Sequence, residues 1–243
     1  MDDAKPLKPE KREQTGGDAL RLVIRIGGSV LASPPSAKRI AEYADILRTL
    51  RLRGHQVVAV VGGGTFARSL IDLSAELGLS AQDQDWVAIQ ASRVIAQMLA
   101  GALGEGALRE IPTSASQAAR LTSEGKIVVM GGLRPGMTTD AVAALTAKEL
   151  RADLLIKATD QDGVYTKDPR KHADAVKLDR IAMNKLREHL EQTTHQAGMH
   201  QVLDPKAADI LAETKTRTVV LNGLKPQNIE LAVKGEKVGT LIE

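Results

Sequence analysis

Length, composition and charge limit what this chain can be. Its 243 residues are 43% hydrophobic, enough to bury the core of one large α/β domain or two small ones. The absence of cysteine excludes disulfide bonds and thiolate metal sites. Only 2% of the residues are aromatic, too few for surfaces that stack bases, so we expect no nucleic-acid partner. The formal charge of +3 fits an anionic small molecule.

The N-terminal segment, residues 1–18, is polar and mixes charged residues with Pro and Gly. It has no apolar periodicity, which predicts a flexible tail without a function. Residues 19–243 are expected to form a single domain. No apolar run approaches the roughly 20 residues that span a bilayer, and the N-terminus lacks the apolar segment of a signal peptide. We therefore expect a cytoplasmic protein without a membrane partner.

Strands and helices are predicted to alternate along the domain, which is typical of a parallel sheet. In chain order, strands are expected at residues 20–26, 57–61, 126–130, 152–158, 176–178, 218–222 and 239–242. Helices are expected at residues 37–52, 83–103, 205–213 and 226–233, with others after Gly64, up to Leu150 and between residues 173 and 204. The helix after Gly64 is predicted to turn an apolar stripe to the core, formed by Phe66, Leu70, Leu73 and Leu77.

Three of the predicted strands end in glycine turns, at Gly27–Gly28, Gly62–Gly64 and Gly131–Gly132. Without a Cβ, the backbone N–H groups can close on an oxyanion, and the helix that follows adds free amides. Arg68 lies about one turn into such a helix and outside its apolar stripe, so its forked guanidinium can reach the same anion. One such turn could equally be a structural connection. Three turns at the carboxyl ends of parallel strands predict a shared crevice for two phosphorylated ligands.

Polar residues follow the third and fourth strands. Thr138, Thr139 and Asp140 begin the helix after the third glycine turn, where capping free amides is the alternative to contacting a ligand. Lys157 comes near the end of the fourth strand, before a turn-rich loop at residues 159–169. The chain has five histidines, His55, His172, His189, His195 and His200. Their spacing is not typical of a metal site, so we predict no metal ligands from the protein.

In these segments and their order, the chain resembles the amino acid kinase family and, within it, the UMP kinases of the archaeal type. The matching segments are Ile26-Gly27-Gly28-Ser29-Val30-Leu31, Val61-Gly62-Gly63-Gly64 with Ala67-Arg68, Met130-Gly131-Gly132 through Pro135-Gly136 to Thr138-Thr139-Asp140-Ala141, Asp162-Gly163-Val164-Tyr165-Thr166, Asp168-Pro169, Ala197-Gly198, and Leu203-Asp204-Pro205 with Ala207-Ala208. The resemblance implies an α/β fold, a three-layer αβα sandwich around a mainly parallel sheet. It also implies transfer of the γ-phosphate of ATP to UMP, with Mg²⁺ accompanying ATP, in a homo-oligomer, a hexamer.

The resemblance further implies the site residues. The catalytic residues would be Arg25, Arg68, Asp140 and Lys157. ATP would be bound by Gly28, Ser29, Gly64, Arg68, Thr159, Asp160, Tyr165 and Asp168. UMP would be bound in the part of the domain before about residue 150, by Gly63, Asp85, Leu133, Arg134, Pro135, Gly136, Met137, Thr138 and Thr139. Arg25 stands where many family members have lysine, so either Arg25 or Lys157 could supply the main phosphate cation.

Two other functions remain open at this point. One is a sister kinase for another acceptor, such as isopentenyl phosphate or the carboxylate of acetylglutamate; such kinases generally place a histidine or an arginine near the acceptor, and residues 131–140 contain no histidine. The other is an ATP-binding molybdenum storage protein, which residues 220–224 and 238–242 resemble. That protein is not expected to keep Thr138-Thr139-Asp140. ADP release that depends on UMP would separate the readings.

Overall fold

A seven-stranded sheet lies at the centre of this computed structural model, which describes residues 19–186 and 203–243. The predicted tail, residues 1–18, lies outside the described residues. So do the Ala197-Gly198 segment and three of the histidines, His189, His195 and His200. Residues 183–186 are helical, and the rest of the segment predicted to hold a helix before residue 204 is outside the described part.

The sheet is parallel except at one pair of strands. Its strands are β1 (Arg21–Ile26), β2 (Gln56–Val61), β3 (Val128–Met130), β4 (Leu154–Thr159), β7 (Arg180–Ile181), β8 (Thr218–Asn222) and β9 (Thr240–Ile242). Their order is β3-β2-β1-β4-β8-β9-β7, and only β8 and β9 pair antiparallel. The short strands β5 (Val164–Tyr165) and β6 (Lys177–Leu178) form a separate antiparallel pair. The prediction of a mainly parallel sheet is confirmed.

Helices connect these strands and cover both faces of the sheet. They are α1 (Gly28–Leu31), α2 (Ala37–Leu52), α3 (Gly64–Glu76), α4 (Ala81–Leu103), α5 (Ala115–Leu121), α6 (Thr139–Leu150), α7 (Pro205–Thr214) and α8 (Asn228–Val233). Five of them are capped by a side-chain oxygen that accepts a hydrogen bond from the backbone N–H three residues later. The capping residues are Ser36, Ser80, Ser114, Thr138 and Asp204. Local sequence thus sets where these helices start.

Two hydrophobic cores, one on each face of the sheet, make the fold a three-layer αβα sandwich. Successive strand residues point to opposite faces, so Ile24 of β1 packs in one core and Val23 in the other. Helices α2, α4 and α8 close the first core, and α5, α6 and α7 close the second. Arg25 and Lys157 each follow a second-core residue by two positions, so both side chains lie on the face that α6 covers.

Helix α3 does not pack as the sequence predicts. Leu73 and Leu77 are 52% and 71% exposed, and Phe66 and Leu70 are only half-buried. The helix instead buries two small residues, Ala67 and Ser74, and lies against α4. The prediction that this four-residue apolar stripe faces the core is wrong for Leu73 and Leu77, whereas Phe66 packs against the first core.

Helix α4 corrects a second expectation. By length and composition, the segment Ala81–Gly106 is apolar enough to cross a membrane, contrary to the prediction from the sequence. Its buried face, including the fully buried Ile95 and Leu99, packs against α2, α3 and the strands β2 and β3. The core helix of a folded domain passes the same test of length and composition, so this segment is weak support for a membrane span.

Candidate active site

The first two glycine turns touch each other at the carboxyl edge of the sheet. β1 and β2 are neighbours, so the turns that follow them lie side by side. A Cβ placed on Gly28 would overlap the backbone N of Gly64, and one placed on Gly64 would overlap the carbonyl oxygen of Ala32. Gly64 also has a φ of +58°, which favours glycine. Glycine is therefore required for the two backbones to approach this closely.

The third glycine turn is held by Ser92 of α4, which the sequence analysis missed. The Ser92 hydroxyl accepts the Gly132 N–H at 2.8 Å and donates to the carbonyl of Ile89 at 2.7 Å. Ser92 is buried, and a Cβ on Gly131 would lie only 2.8 Å from its oxygen. A polar residue at helical spacing among buried apolar residues is the sequence signal that could have found it.

A cavity of about 400 Å³ opens between the second and third glycine turns and α4. Of the residues predicted to bind UMP, only Leu133 and Pro135 do not line this cavity. Those that line it are Gly63, Asp85, Arg134, Gly136, Met137, Thr138 and Thr139. Asp85 reaches the third turn, where its Oδ2 accepts the Gly136 N–H at 2.8 Å. Five further residues complete the wall: Ala67, Ala88, Ile89, Ser92 and Gly132. The structure therefore brings most of the predicted acceptor residues together.

Beside this cavity, three charged side chains form a cluster of two cations and one carboxylate. Arg25 and Lys157 are register partners on β1 and β4. The Lys157 Nζ donates to Asp140 Oδ2, and the Arg25 Nε lies 2.6 Å from Asp140 Oδ1 as an ion pair without hydrogen-bond geometry. Arg25 also donates from Nη2 to the hydroxyl of Thr139 at 3.0 Å. The cluster thus links β1, β4 and the start of α6.

Burial shapes the ionisation of this cluster. Burial alone would raise the pKa of Asp140, but the charges of Arg25 and Lys157 outweigh it and lower that pKa below its usual range. Burial lowers the pKa of Lys157, Arg25 lowers it further, and Asp140 offsets only part of the effect. Asp140 therefore stays ionised near neutral pH and anchors the two cations rather than accepting a proton.

Thr138 confirms the capping alternative without excluding a second role. Its hydroxyl accepts the Ala141 N–H at 3.1 Å and so caps α6, while its side chain also lines the cavity. Asp140 follows in the first turn of the same helix, where the free amides favour a negative charge. The capped helix start therefore fixes the direction in which the Asp140 carboxylate points.

The residues predicted to bind ATP are more scattered. Gly28, Ser29 and Gly64 lie at the two touching turns. Arg68 is exposed on α3, as predicted, and makes no hydrogen bond or ion pair with the described residues. Thr159 ends β4 and donates to Asp160 Oδ1 at 3.2 Å, which places both at the same edge of the sheet.

Tyr165 and Asp168 lie further along, in and after the β5–β6 pair. Tyr165 is half-buried on β5. Asp168 is buried, and its Oδ1 accepts the Arg170 N–H at 3.0 Å, the main cause of its lowered pKa. The Asp168 side chain is therefore engaged within its own loop, and neither residue lines the cavity described above.

Elsewhere, a larger cavity of about 530 Å³ lies between α8 and the strands β8 and β9. Its lining includes Leu154, Val219, Val233 and Leu241 but none of the three glycine turns. The described residues contain no group of three or more His, Cys, Asp and Glu that could hold a metal ion. The glycine turns and the charge cluster, not this larger cavity, therefore define the candidate active site.

Comparison with known proteins agrees with this geometry. The sequence model of the amino acid kinase family matches residues 20–222. The chain belongs to the amino acid kinase family. Among similar members, the uridylate kinase of Methanocaldococcus jannaschii is 41% identical over 226 residues, which cover 92% of this chain and 100% of that protein. The uridylate kinase of Methanobrevibacter smithii is 36% identical over 223 residues, 92% of this chain and 99% of that protein.

Solved structures of family members support the same fold. The crystal structure of uridylate kinase from Archaeoglobus fulgidus matches with a TM-score of 0.84 and 40% identity, and covers 92% of this chain and 100% of that chain. UMP kinase from Bacillus anthracis matches with a TM-score of 0.77, covers 92% of this chain and 95% of that chain, and at 24% identity supports the fold alone. The predicted amino acid kinase fold is confirmed.

Proposed function

We propose that this protein transfers the γ-phosphoryl group of ATP to UMP and so forms UDP in pyrimidine nucleotide biosynthesis. The observation that carries the proposal is the cavity beside the cation cluster, which most of the residues predicted for UMP line. The similar proteins of Methanocaldococcus jannaschii and Methanobrevibacter smithii are both uridylate kinases, and each match covers 92% of this chain. The match to the family model, residues 20–222, includes every residue of the charge cluster.

Each part of the site has a role in this proposal. Asp85 binds the ribose of UMP, and the turn from Leu133 to Thr139 encloses the rest of the acceptor. The amides of the touching turns at Gly28 and Gly64 hold the migrating phosphate. Phosphoryl transfer needs alignment and charge neutralisation more than covalent chemistry. Amides and fixed cations in a preorganised site supply both.

Magnesium would accompany ATP and would supply positive charge that offsets the charge of the phosphates. Asp140 is already paired with two cations and is a poor additional ligand. Asp160 is exposed at the end of β4, and carboxylate oxygens suit this hard cation. We therefore propose that Asp160 contacts a metal ion that arrives with ATP, which would revise the prediction of no metal ligands from the protein.

We also propose a cytoplasmic homo-oligomer, in line with the hexamer expected from the sequence. Several large apolar side chains on α3 and α4 are 44% to 71% exposed: Leu73, Leu77, Trp86, Val94 and Met98. Leu73 and Leu77 are four residues apart at the end of α3, and Val94 and Met98 are four residues apart on α4, so each of these two pairs shares a helix face. Monomeric proteins rarely expose a contiguous apolar surface of this kind, and a second copy of the chain would cover it. Light scattering that finds only monomer at micromolar concentration would contradict this assembly.

The alternatives are not favoured. A sister kinase for isopentenyl phosphate or acetylglutamate would need a different acceptor site from the one lined by Asp85, Thr138 and Thr139. A molybdenum storage protein would bind ATP without passing its phosphate to UMP. Neither function is named for the uridylate kinases that resemble this chain along its length.

The test is a panel of acceptors with Mg-ATP. Purified protein is incubated with UMP, CMP, AMP, GMP, isopentenyl phosphate or acetylglutamate, and ADP release is measured for each. We expect rapid ADP release only with UMP, together with formation of UDP. ATP binding without UMP-dependent release would favour the storage function, and release with another acceptor would favour a sister kinase.

A further inference from the structure

Thr240 in the last strand lies beneath the β5–β6 pair and bonds to both of its strands. Its side chain is fully buried. The hydroxyl accepts the Val164 N–H at 2.8 Å and donates to the Leu178 carbonyl. Val164 and Leu178 are register partners in the antiparallel pair. One hydroxyl therefore connects the backbones of two facing residues and completes one end of this short ladder.

The same residue joins the small pair to the main sheet. Thr240 pairs with Val220 of β8, inside the seven-stranded sheet. Gly163, just before β5, passes so close that a Cβ there would lie 2.5 Å from the Thr240 oxygen. The loop from Thr159 to Val164 is thus fixed at one end by β4 and at the other by Thr240. Two-residue strands have too few ladder bonds to hold such a loop alone.

We propose that Thr240 is a positioning residue for the ATP site, a role that rests on the proposed kinase function. It is buried and cannot touch the nucleotide, so it acts through the strand that carries Tyr165 and through the loop that carries Asp160. Without the hydroxyl, the buried N–H of Val164 and the partly buried carbonyl of Leu178 lose their shared partner. The loop then loses its fixed end, and ATP binding weakens while UMP binding on the other side of β1 is unaffected.

Three substitutions test this role. Thr240→Val removes the hydroxyl and keeps the shape, and Thr240→Ser restores the hydroxyl. Thr218→Val is the matched control, because Thr218 is also fully buried, in the adjacent strand β8, and its hydroxyl donates only to the nearby Thr216 carbonyl. All three proteins are compared with the unchanged chain in thermal unfolding, so that a general loss of stability is measured separately.

We expect Thr240→Val to raise the KM for ATP about tenfold, with the KM for UMP within about twofold of the unchanged protein. Thr240→Ser and Thr218→Val should leave the KM for ATP within about twofold. An unchanged KM for ATP in Thr240→Val, or an equal rise in the control, would overturn the proposal.

Hydrogen–deuterium exchange of the nucleotide-free proteins separates this idea from the kinase proposal itself. Peptides covering residues 159–178 should exchange faster in Thr240→Val than in Thr218→Val. If the unchanged protein fails to phosphorylate UMP, the kinase proposal fails, and binding of a fluorescent ATP analogue replaces KM as the readout. Equal exchange in the two valine variants would overturn the positioning role whatever the activity.

Discussion

At the scale of single residues, Asp140 controls how much positive charge the site can offer. Arg25 and Lys157 reach it from neighbouring strands, and both lie against its carboxylate. If one cation is removed, the other is left paired with Asp140, and no surplus charge from this cluster faces the phosphates. Arg25 and Lys157 are therefore both needed for the cluster to present a net positive charge to the phosphates.

We expect Arg25→Ala and Lys157→Ala each to slow UDP formation by about 100-fold or more, because each removes a largely buried cation beside the predicted phosphate site. Arg25→Lys should keep most of the activity, since it preserves the charge. Initial rates at saturating UMP and Mg-ATP measure the effect. A large loss in only one alanine variant would assign the contact to that residue, and near-normal rates in both would remove the pair from the transfer step.

Arg68 is expected to act in the transition state. It is exposed and unpaired among the described residues, so its guanidinium is available to the migrating phosphate. Arg68→Ala should lower kcat by about 100-fold, or about 3 kcal/mol of barrier, with little change in either KM. Arg120→Ala is the control, an exposed arginine on α5. A change in KM alone would make Arg68 a ground-state binding residue.

Asp85 offers a sharper test of the acceptor site because a second aspartate lies two residues before it. We expect Asp85→Asn to raise the KM for UMP about tenfold, since a charged hydrogen-bond acceptor for the ribose is lost. Asp83→Asn should leave the KM for UMP unchanged, because Asp83 is hydrogen-bonded to Ser80 at the start of the helix. Steady-state kinetics with UMP varied would distinguish them, and equal effects would argue against a ribose contact.

At the scale of elements, the contact between the first two glycine turns sets the geometry of the site. Gly28→Ala would force the turns apart, because the added methyl group overlaps the Gly64 backbone. We expect kcat/KM to fall by about 100-fold, the usual cost of a 1 Å displacement at a reacting centre.

The control for this change is Gly101→Ala, at an exposed glycine inside α4 with no atom within 4 Å of the added methyl group. It should keep full activity and gain about 0.5–1 kcal/mol of stability. Kinetics and thermal unfolding of both variants are needed. Full activity in Gly28→Ala would show that the touching turns do not align the reaction.

The elements that could be predicted from sequence are the long or strongly patterned ones. The β-branched run of β2 and the capped helix α7 were both expected. The four-residue α1, the seven-residue α5 and the two-residue strands β5 and β7 were not, because they are too short for periodicity to register. The burial of Leu73 and Leu77 after α3 begins was predicted wrongly, because apolar residues at helical spacing do not reveal which neighbouring element, if any, covers them.

The glycine turns of the candidate site could be predicted from the sequence, but the side-chain contacts that hold them could not. Glycine turns are visible in a sequence because the residue type itself signals close backbone approach. Ser92 was missed because its partner Gly132 is 40 residues away, and a lone serine on a helix resembles a solvated one. The pairing of Arg25 with Lys157 depends on the register of β1 and β4, which no local pattern encodes.

At the scale of the whole molecule, the N-terminal tail lies outside what the family shares. The family match begins at residue 20, and 92% of this chain covers the whole of the Methanocaldococcus jannaschii protein. Removing residues 1–17 should leave kcat, both KM values and the mass of the assembly unchanged, because the polar sequence of this segment offers little apolar surface to bury. Kinetics and light scattering check this, and smaller species after truncation would identify the tail as an interface arm.

The position of β1 also divides the molecule. The residues predicted to bind the acceptor lie on its β2–β3 side, and the loop predicted for ATP follows β4 on its other side. β1 and its glycine turn therefore form the boundary across which the phosphate moves. This explains why the charge cluster includes one residue from β1, one from β4 and one from α6.

This central position has a consequence for biosynthesis. β1 leaves the ribosome long before its partner β4, because Leu22 pairs with Leu154, more than half the chain later. Until then β1 can pair only with β2, and its other edge remains open to any strand of another chain. Pairings so distant in sequence form slowly, since a long loop must close first. Synthesis at high concentration therefore exposes this edge to aggregation, and slower translation or a chaperone that covers it should raise the yield of folded protein.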